Sequence, residues 1–228
     1  SACVLPPHSI SEELQAIIRE STKKVAIELK VIGLLNIQFA IKDEKVFILE
    51  VNPRGSRTVP FVSKATGIHW AKLATRVILG DSISSLQVKE VKMSYKSVKE
   101  AVFPFKRFPG IDMLLGPEMK STGEVMGIDS NFGRAYIKSQ IAAGQIIPFQ
   151  GSVFISVKDR DKARLRPIVD LLSQMDFSMY ATTGTAAQIQ EWGIKCEVLK
   201  KVYEGRPHVV DAMKNGDIDL VINTPSGK

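Results

Sequence analysis

The stretch that decides the reading runs Asn36-Ile37-Gln38-Phe39-Ala40-Ile41-Lys42-Asp43-Glu44-Lys45-Val46-Phe47-Ile48-Leu49-Glu50-Val51-Asn52-Pro53-Arg54. Leu35, Ile37, Phe39 and Ile41 alternate with Asn36, Gln38 and Ala40, the period-two pattern of a strand from about Leu34 to Ile41. Lys42 to Lys45 is a polar turn and Val46 to Val51 a second strand, so the spacing predicts a hairpin. With the turn centred on Glu44, Gln38 lies opposite Glu50 and Asn36 opposite Asn52. Residues two apart share a face, so Gln38, Glu50 and Asn52 converge. Phe47, Leu49 and Val51 then form an apolar face expected to pack inward. One carboxylate and two amide oxygens suit a hard cation such as Mg²⁺, which keeps water and phosphate ligands. Arg54 and Arg57 follow, and guanidinium groups beside a metal suit a polyphosphate or a developing phosphoryl charge. The same pattern reads equally as an exposed polar face on an edge hairpin, and spacing leaves both open.

Upstream, a helix is expected. Ser9 and Glu12 form a capping box, Leu14, Ile17, Ile18, Val25 and Leu29 follow helical spacing, and Gly33 ends it. Downstream, Phe61 to Gly67 reads as loop or short helix, and Trp70 to Leu79 as a helix with Gly80 as its C-cap. Val88 to Gly127 is strand- and loop-like, and Asn131 to Ala143 helical. The pattern changes between Gly144 and Gly151, which divides the chain into domains 1–145 and 146–228. In the second domain strands Ser152–Val157, Phe177–Ala181, Cys196–Leu199 and Asp219–Asn223 alternate with helices. The first of these helices, Asp161–Met175, carries the stripe Leu165, Ile168, Val169 and Leu172. Alternation of this kind implies a parallel α/β sheet covered on both faces, with ligands beyond the strand carboxyl ends.

Composition narrows the class. At 228 residues there is room for two domains, and 44% hydrophobic with 24% charged residues excludes a disordered chain. Two cysteines, Cys3 and Cys196, exclude a disulfide framework and fit a reducing cytosol. The N-terminal residues lack the pattern of a signal peptide, and the apolar stretch Val31–Ile41 is too short and polar to span a bilayer. The net charge of +7 is concentrated before residue 146, +6 against +1 after it, without a basic block. Small phosphorylated ligands explain it as well as a nucleic acid does, and no nucleic-acid partner is expected. His8, His69 and His208 lack metal spacing, so zinc is not expected.

The segments Asn36–Ala40, Glu50–Arg54 and Arg57–Gly67 closely resemble the large subunit of carbamoyl phosphate synthetase, at the end of an ATP-grasp module. The resemblance continues through Ser97–Glu100, Phe108–Asp112, Leu115–Met119 and Ser121–Gly127, and resumes at Thr182–Thr185 and Glu204–His208. It implies the C-terminal half of an ATP-grasp fold followed by a Rossmann-like, methylglyoxal-synthase-like allosteric domain. The half implied is the second, carbamate-phosphorylating one. By this resemblance Gln38 and Glu50 bind ATP and Mg²⁺ or Mn²⁺, Asn52 completes the metal site, and Arg54 and Arg57 face phosphate and the carbamate-derived intermediate. Glu100 binds the amine of ornithine, with a solvated or core-paired carboxylate as the other reading.

Hydroxyls, backbone amides and lysines at the strand ends of the second domain suit a monophosphate. There Lys162, Thr182, Thr185, Lys201 and Asn223 are the candidates, although Thr-Thr-Gly-Thr alone also reads as a plain strand–helix turn. By resemblance the ligand is a nucleotide effector, UMP or IMP. Pro225 stands where a further hydroxyl ligand is often found. A glutaminase small subunit, an oligomeric full enzyme and a role in arginine and pyrimidine synthesis are implied likewise. Ser1-Ala2-Cys3 resembles the tail of a His-Ser-Gly-Asp-Ser motif, and the allosteric domain reads as truncated. The chain is thus expected to be a fragment holding half a catalytic site and inactive alone. The alternative is a stand-alone regulatory nucleotide-binding module. A methylglyoxal synthase would need a Gly-Gly-Asp base, which is absent. The Glu-x-Asn-x-Arg pattern also recurs in other ATP-grasp ligases, which the attached effector domain argues against.

Overall fold

The computed structural model describes residues 2–105 and 119–225. Ser1, the Phe108–Asp112 motif, most of Leu115–Met119 and Ser226–Lys228 lie outside the described residues. The contacts divide the chain into two units, Ser1–Ile146 and Ile147–Lys228.

In the first unit, β1 (Cys3–Leu5), β4 (Lys96–Val102) and β5 (Gly123–Asp129) form an antiparallel sheet in the order β1-β4-β5. The strand β1 has no counterpart in the sequence reading. Helix α4 (Phe132–Ala142) lies on this sheet at Gly127. A Cβ there would overlap the Ala135 carbonyl and the Ser139 amide, so the close approach of helix and strand requires glycine. Asn131 caps α4 by accepting from the Arg134 amide at 3.1 Å.

Helix α1 (Glu12–Glu28) begins two residues later than a cap at Ser9 predicts. The cap is Ser11, whose hydroxyl accepts from Leu14 N at 3.3 Å, and Ser9 takes no part. None of its apolar residues is fully buried. Helices α2 (Thr58–Thr66) and α3 (Trp70–Ile78) follow the hairpin, and Phe61–Thr66, expected as loop or short helix, belongs to α2. Its stop is Gly67, at φ +71°.

The hairpin is β2 (Asn36–Lys42) with β3 (Lys45–Asn52). Gln38 pairs with Glu50 and Asn36 with Asn52, as expected, but for a different reason. The turn is Asp43–Glu44, both at positive φ, with Lys42 opposite Lys45. This centre lies half a residue earlier than Glu44. A bulge after Gln38, where Phe39 pairs with Ile48, adds the missing step. The same bulge overturns the inward apolar face. Phe47 pairs with Ala40, on the side of Gln38, and Phe47 and Leu49 are both exposed, Leu49 at 65%.

The second unit is a four-stranded parallel sheet in the order β8-β7-β6-β9, from β6 (Ser152–Ser156), β7 (Ser178–Ala181), β8 (Glu197–Val198) and β9 (Leu220–Asn223). Helices α5 (Asp159–Gln174), α6 (Thr183–Glu191) and α7 (Val209–Asn215) connect them. Val153, Phe154 and Ile155 are consecutive and all buried, which marks a strand covered on both faces. The core adds Leu165, Val169 and Leu172 of α5, Phe177, Met179, Ala181, Ala186, Ile189 and Cys196. Ile168, read as part of the α5 stripe, is 43% exposed, because it sits one residue off the buried line Leu165–Val169–Leu172. Among the described residues, no helix is long and apolar enough to cross a membrane.

Candidate functional site

Two sites come out of these units. In the first unit the ladder fixes Gln38 against Glu50 and Asn36 against Asn52, so three amides and a carboxylate share one face. Facing side chains on such a ribbon begin about 4.5–5.5 Å apart at Cβ, which lets two of them reach one ion. Gln38 and Glu50 are exposed and Asn52 half-buried. Among the described residues no hydrogen bond or ion pair engages the side chains of Gln38, Glu50 or Asn52, so their oxygens are available. No cluster of three or more His, Cys, Asp or Glu suited to a metal occurs among the described residues. One carboxylate supported by amide oxygens is instead the chemistry of a hard cation whose remaining ligands are water and phosphate.

The arginines do not yet join this face. Arg54 donates from Nη1 to the Gly55 carbonyl at 3.0 Å. Arg57 occupies the N-cap position of α2 and donates from Nη1 to Met119 Sδ. Glu100, the ornithine candidate, is half-buried in β4 and accepts from Gln140 Nε2 of α4 at 2.7 Å and from the Ala101 amide at 3.0 Å. The structure therefore places it in a contact between β4 and α4.

Sequence reasoning missed the pair Lys99–Glu124. Lys99 Nζ lies 2.6 Å from Glu124 Oε1, with the lysine side chain 5% exposed. An ammonium so buried needs its carboxylate, and removing either leaves an unpaired charge. The pair borders a cleft of about 310 Å³ between α2 and the sheet, with Pro60, Phe61 and Lys64 opposite. A lysine in an alternating strand reads as exposed, so no local signal marks it. The cysteines are inert by contrast. Burial pushes the Cys196 thiol up to about 11 and raises that of Cys3 as well.

In the second unit the strand order reverses beside β6. The chain moves from β6 outward to β7 and β8, then returns to add β9 on the other side. Such a reversal opens a crevice at the carboxyl ends of the strands. The Lys158 amide donates to Thr224 Oγ1 at 2.9 Å and the Thr224 amide to the Ser156 carbonyl at 3.0 Å, tying the ends of β6 and β9 together. Asn223, at the end of β9, is in register with Ser156. Thr182 and Thr185 are buried, their hydroxyls 3.3 Å apart, at the start of α6. Lys162 reaches Gly184, its Nζ 3.5 Å from where a Cβ would stand. It also pairs with Asp159 Oδ1 at 2.8 Å. This ammonium holds the Asp159 carboxyl below its ordinary range, and Lys201 adds to the effect. Lys201 lies 5.7 Å from the Tyr203 ring and is itself raised, first by Tyr203.

The structure thus brings Lys162 to the Thr182–Thr185 turn, sets Asp159 in the field of both Lys162 and Lys201, and puts Asn223 at the reversal. Thr224, Asp159 and Tyr203 were missed. Thr224 was findable from its place beside Asn223. A depression of about 600 Å³ lined by Gly151, Ser152, Asp176 and Asp219 lies at the opposite, amino end of the strands. The direction of the strands favours the carboxyl end for an anion, where helix N-termini point.

Comparisons with known proteins match two separate parts of the chain. Residues 1–86 match the family model described as carbamoyl-phosphate synthase L chain, ATP binding domain, and residues 164–228 match the MGS-like domain. The chain is 53% identical over 228 residues to the carbamoyl phosphate synthase large chain of Pasteurella multocida, covering all of this chain and 21% of that protein. It is 53% identical to the large chain of Archaeoglobus fulgidus and 49% to that of Methanoculleus marisnigri, again over its whole length. The chain spans about a fifth of the length of these relatives.

Proposed function

The chain is a relative of the carbamoyl phosphate synthase large chains along its whole length, and on that premise we propose that its first unit supplies the metal-bearing part of an ATP-dependent site that phosphorylates carbamate. The observation that carries the proposal is the ladder pairing of Gln38 with Glu50 and Asn36 with Asn52. Gln38, Glu50 and Asn52 hold Mg²⁺ or Mn²⁺, with Gln38 and Glu50 also positioned toward ATP. A divalent ion bound there neutralises charge on the nucleotide's phosphates. Arg54 and Arg57 turn from their present partners to donate to phosphate and carbamate-derived oxygens. The chain's contribution is placement and charge, since phosphoryl transfer needs little covalent help from protein.

The second unit takes a nucleoside monophosphate effector such as UMP or IMP, on Lys162, Thr182, Thr185, Lys201 and Asn223. Glu100 serves an amine effector such as ornithine after release from Gln140. The boundary between these roles falls near residue 145. The whole enzyme works in the cytoplasm with a glutaminase subunit, as an oligomer, and feeds arginine and pyrimidine synthesis.

The test is Glu50→Gln in the intact large chain. Carbamoyl phosphate formation should fall at least about 100-fold, with UMP affinity unchanged, because the one carboxylate among the three donors is lost from a site built on charge. Unchanged turnover removes the metal assignment.

A further inference from the structure

We propose that Asp159 is a built-in competitor for the phosphate at the carboxyl ends of the parallel strands, and that its displacement from Lys162 sets the affinity and the anion selectivity of that site. The inference rests on the reading that the second unit binds a phosphorylated effector.

Lys162 is held in place. Its side chain is 21% exposed and lies against Gly184, where a side chain on residue 184 would meet the ammonium. Asp159 is the opposite: its side chain is 95% exposed, and among the described residues its one ion-pair partner is Lys162, at 2.8 Å. Lys201 also acts on this carboxylate, so Asp159 stands within the field of both lysines of the candidate cradle. A carboxylate offers the same acceptor oxygens as a phosphate. Asp159 therefore takes up one of the Lys162 donor directions that a phosphate monoester needs, and its charge repels an incoming dianion. The backbone of Asp159 is fixed in the first turn of α5, yet the side chain is free to swing into solvent. Entry of a phosphate is an exchange of one anion for another.

Selectivity follows from the charge count. A monoanion such as chloride or a simple carboxylate gains nothing over the resident carboxylate. A dianionic phosphate monoester gains a full charge and keeps the Thr182–Thr185 turn and the helix N-terminus as further donors.

The test is calorimetric titration of the whole chain with UMP and with inorganic phosphate at fixed ionic strength. Asp159→Asn should bind both about three- to tenfold tighter, the span expected for removing one exposed like charge. It should also acquire measurable acetate binding. Asp159→Glu should stay within about twofold of the unaltered chain, because it restores the competitor. Asp161→Asn should change nothing, since Asp161 pairs with Arg160 at 3.9 Å instead. If Lys162→Ala abolishes binding while Asp159→Asn, melting like the unaltered chain, binds equally or more weakly, the competitor idea is overturned and the effector site stands. If the unaltered chain takes up neither UMP nor phosphate, the effector site itself is wrong and this inference goes with it.

Discussion

Asp129 shows how a single side chain joins a strand to the helix behind it. It ends β5 and accepts from the Asn131 amide at 3.0 Å, from Arg134 Nε at 3.0 Å and from Lys138 Nζ at 2.8 Å. These donors, the Asn131 amide first, hold its carboxyl far below the ordinary carboxylate range. A depressed folded-state value contributes stability at every pH above the unfolded value of about 3.9, and the contribution fades as pH falls below it. Asp129→Asn should therefore lower the melting temperature at pH 7, and the gap from the unaltered chain should close as the pH is taken from about 4 towards 2. A gap that stays constant over that range removes the assignment. At this scale the sequence was legible where a residue's role is local. Alternation put Glu50 and Asn52 on one face, and Asn131 could be read as a helix start. It was silent where the partner is distant, as for Lys99 with Glu124 or Glu100 with Gln140. Neither burial of a lysine nor capture of a carboxylate leaves a trace in the neighbouring residues.

Elements were legible to the extent that their periodicity was. The hairpin, α3, α4 and the alternating strands and helices of the second unit lie within a few residues of their sequence positions. Boundaries failed where two residues compete for one task, as Ser9 and Ser11 did for the cap of α1. The three-residue β1 is too short to show a period. The turn of the hairpin is a place where the sequence is not at its local optimum. Asp43 and Glu44 both take positive φ, at 49° and 59°, a conformation that glycine adopts without the steric cost of a Cβ. Glu44→Gly should stabilise the first unit by about 0.5–1 kcal/mol in chemical denaturation, the difference between left-handed strain and backbone entropy. A loss of stability would mean that the Glu44 side chain contributes something the ribbon geometry does not show.

On the scale of the whole chain, each unit is described by its own contacts, and the second has a continuous apolar core from Val153 to Cys196. Residues 147–228 expressed alone should unfold in one cooperative transition with a stability of about 4–12 kcal/mol and bind UMP as the longer chain does. A broad, non-cooperative melt would show that the core is insufficient by itself. Parallel α/β order was legible because buried strands and amphipathic helices alternate in the sequence. The reversal beside β6 was not, since no residue pattern states on which side β9 is added. That reversal has a consequence for biosynthesis. As the polypeptide leaves the ribosome, the buried cluster from Val153 to Cys196 emerges before Leu220 and Ile222, which pack against it from the last strand, Leu220–Asn223. A nascent domain thus keeps one side of β6 uncovered until its last strand arrives, and the tie between the ends of β6 and β9 forms only when Thr224 has followed.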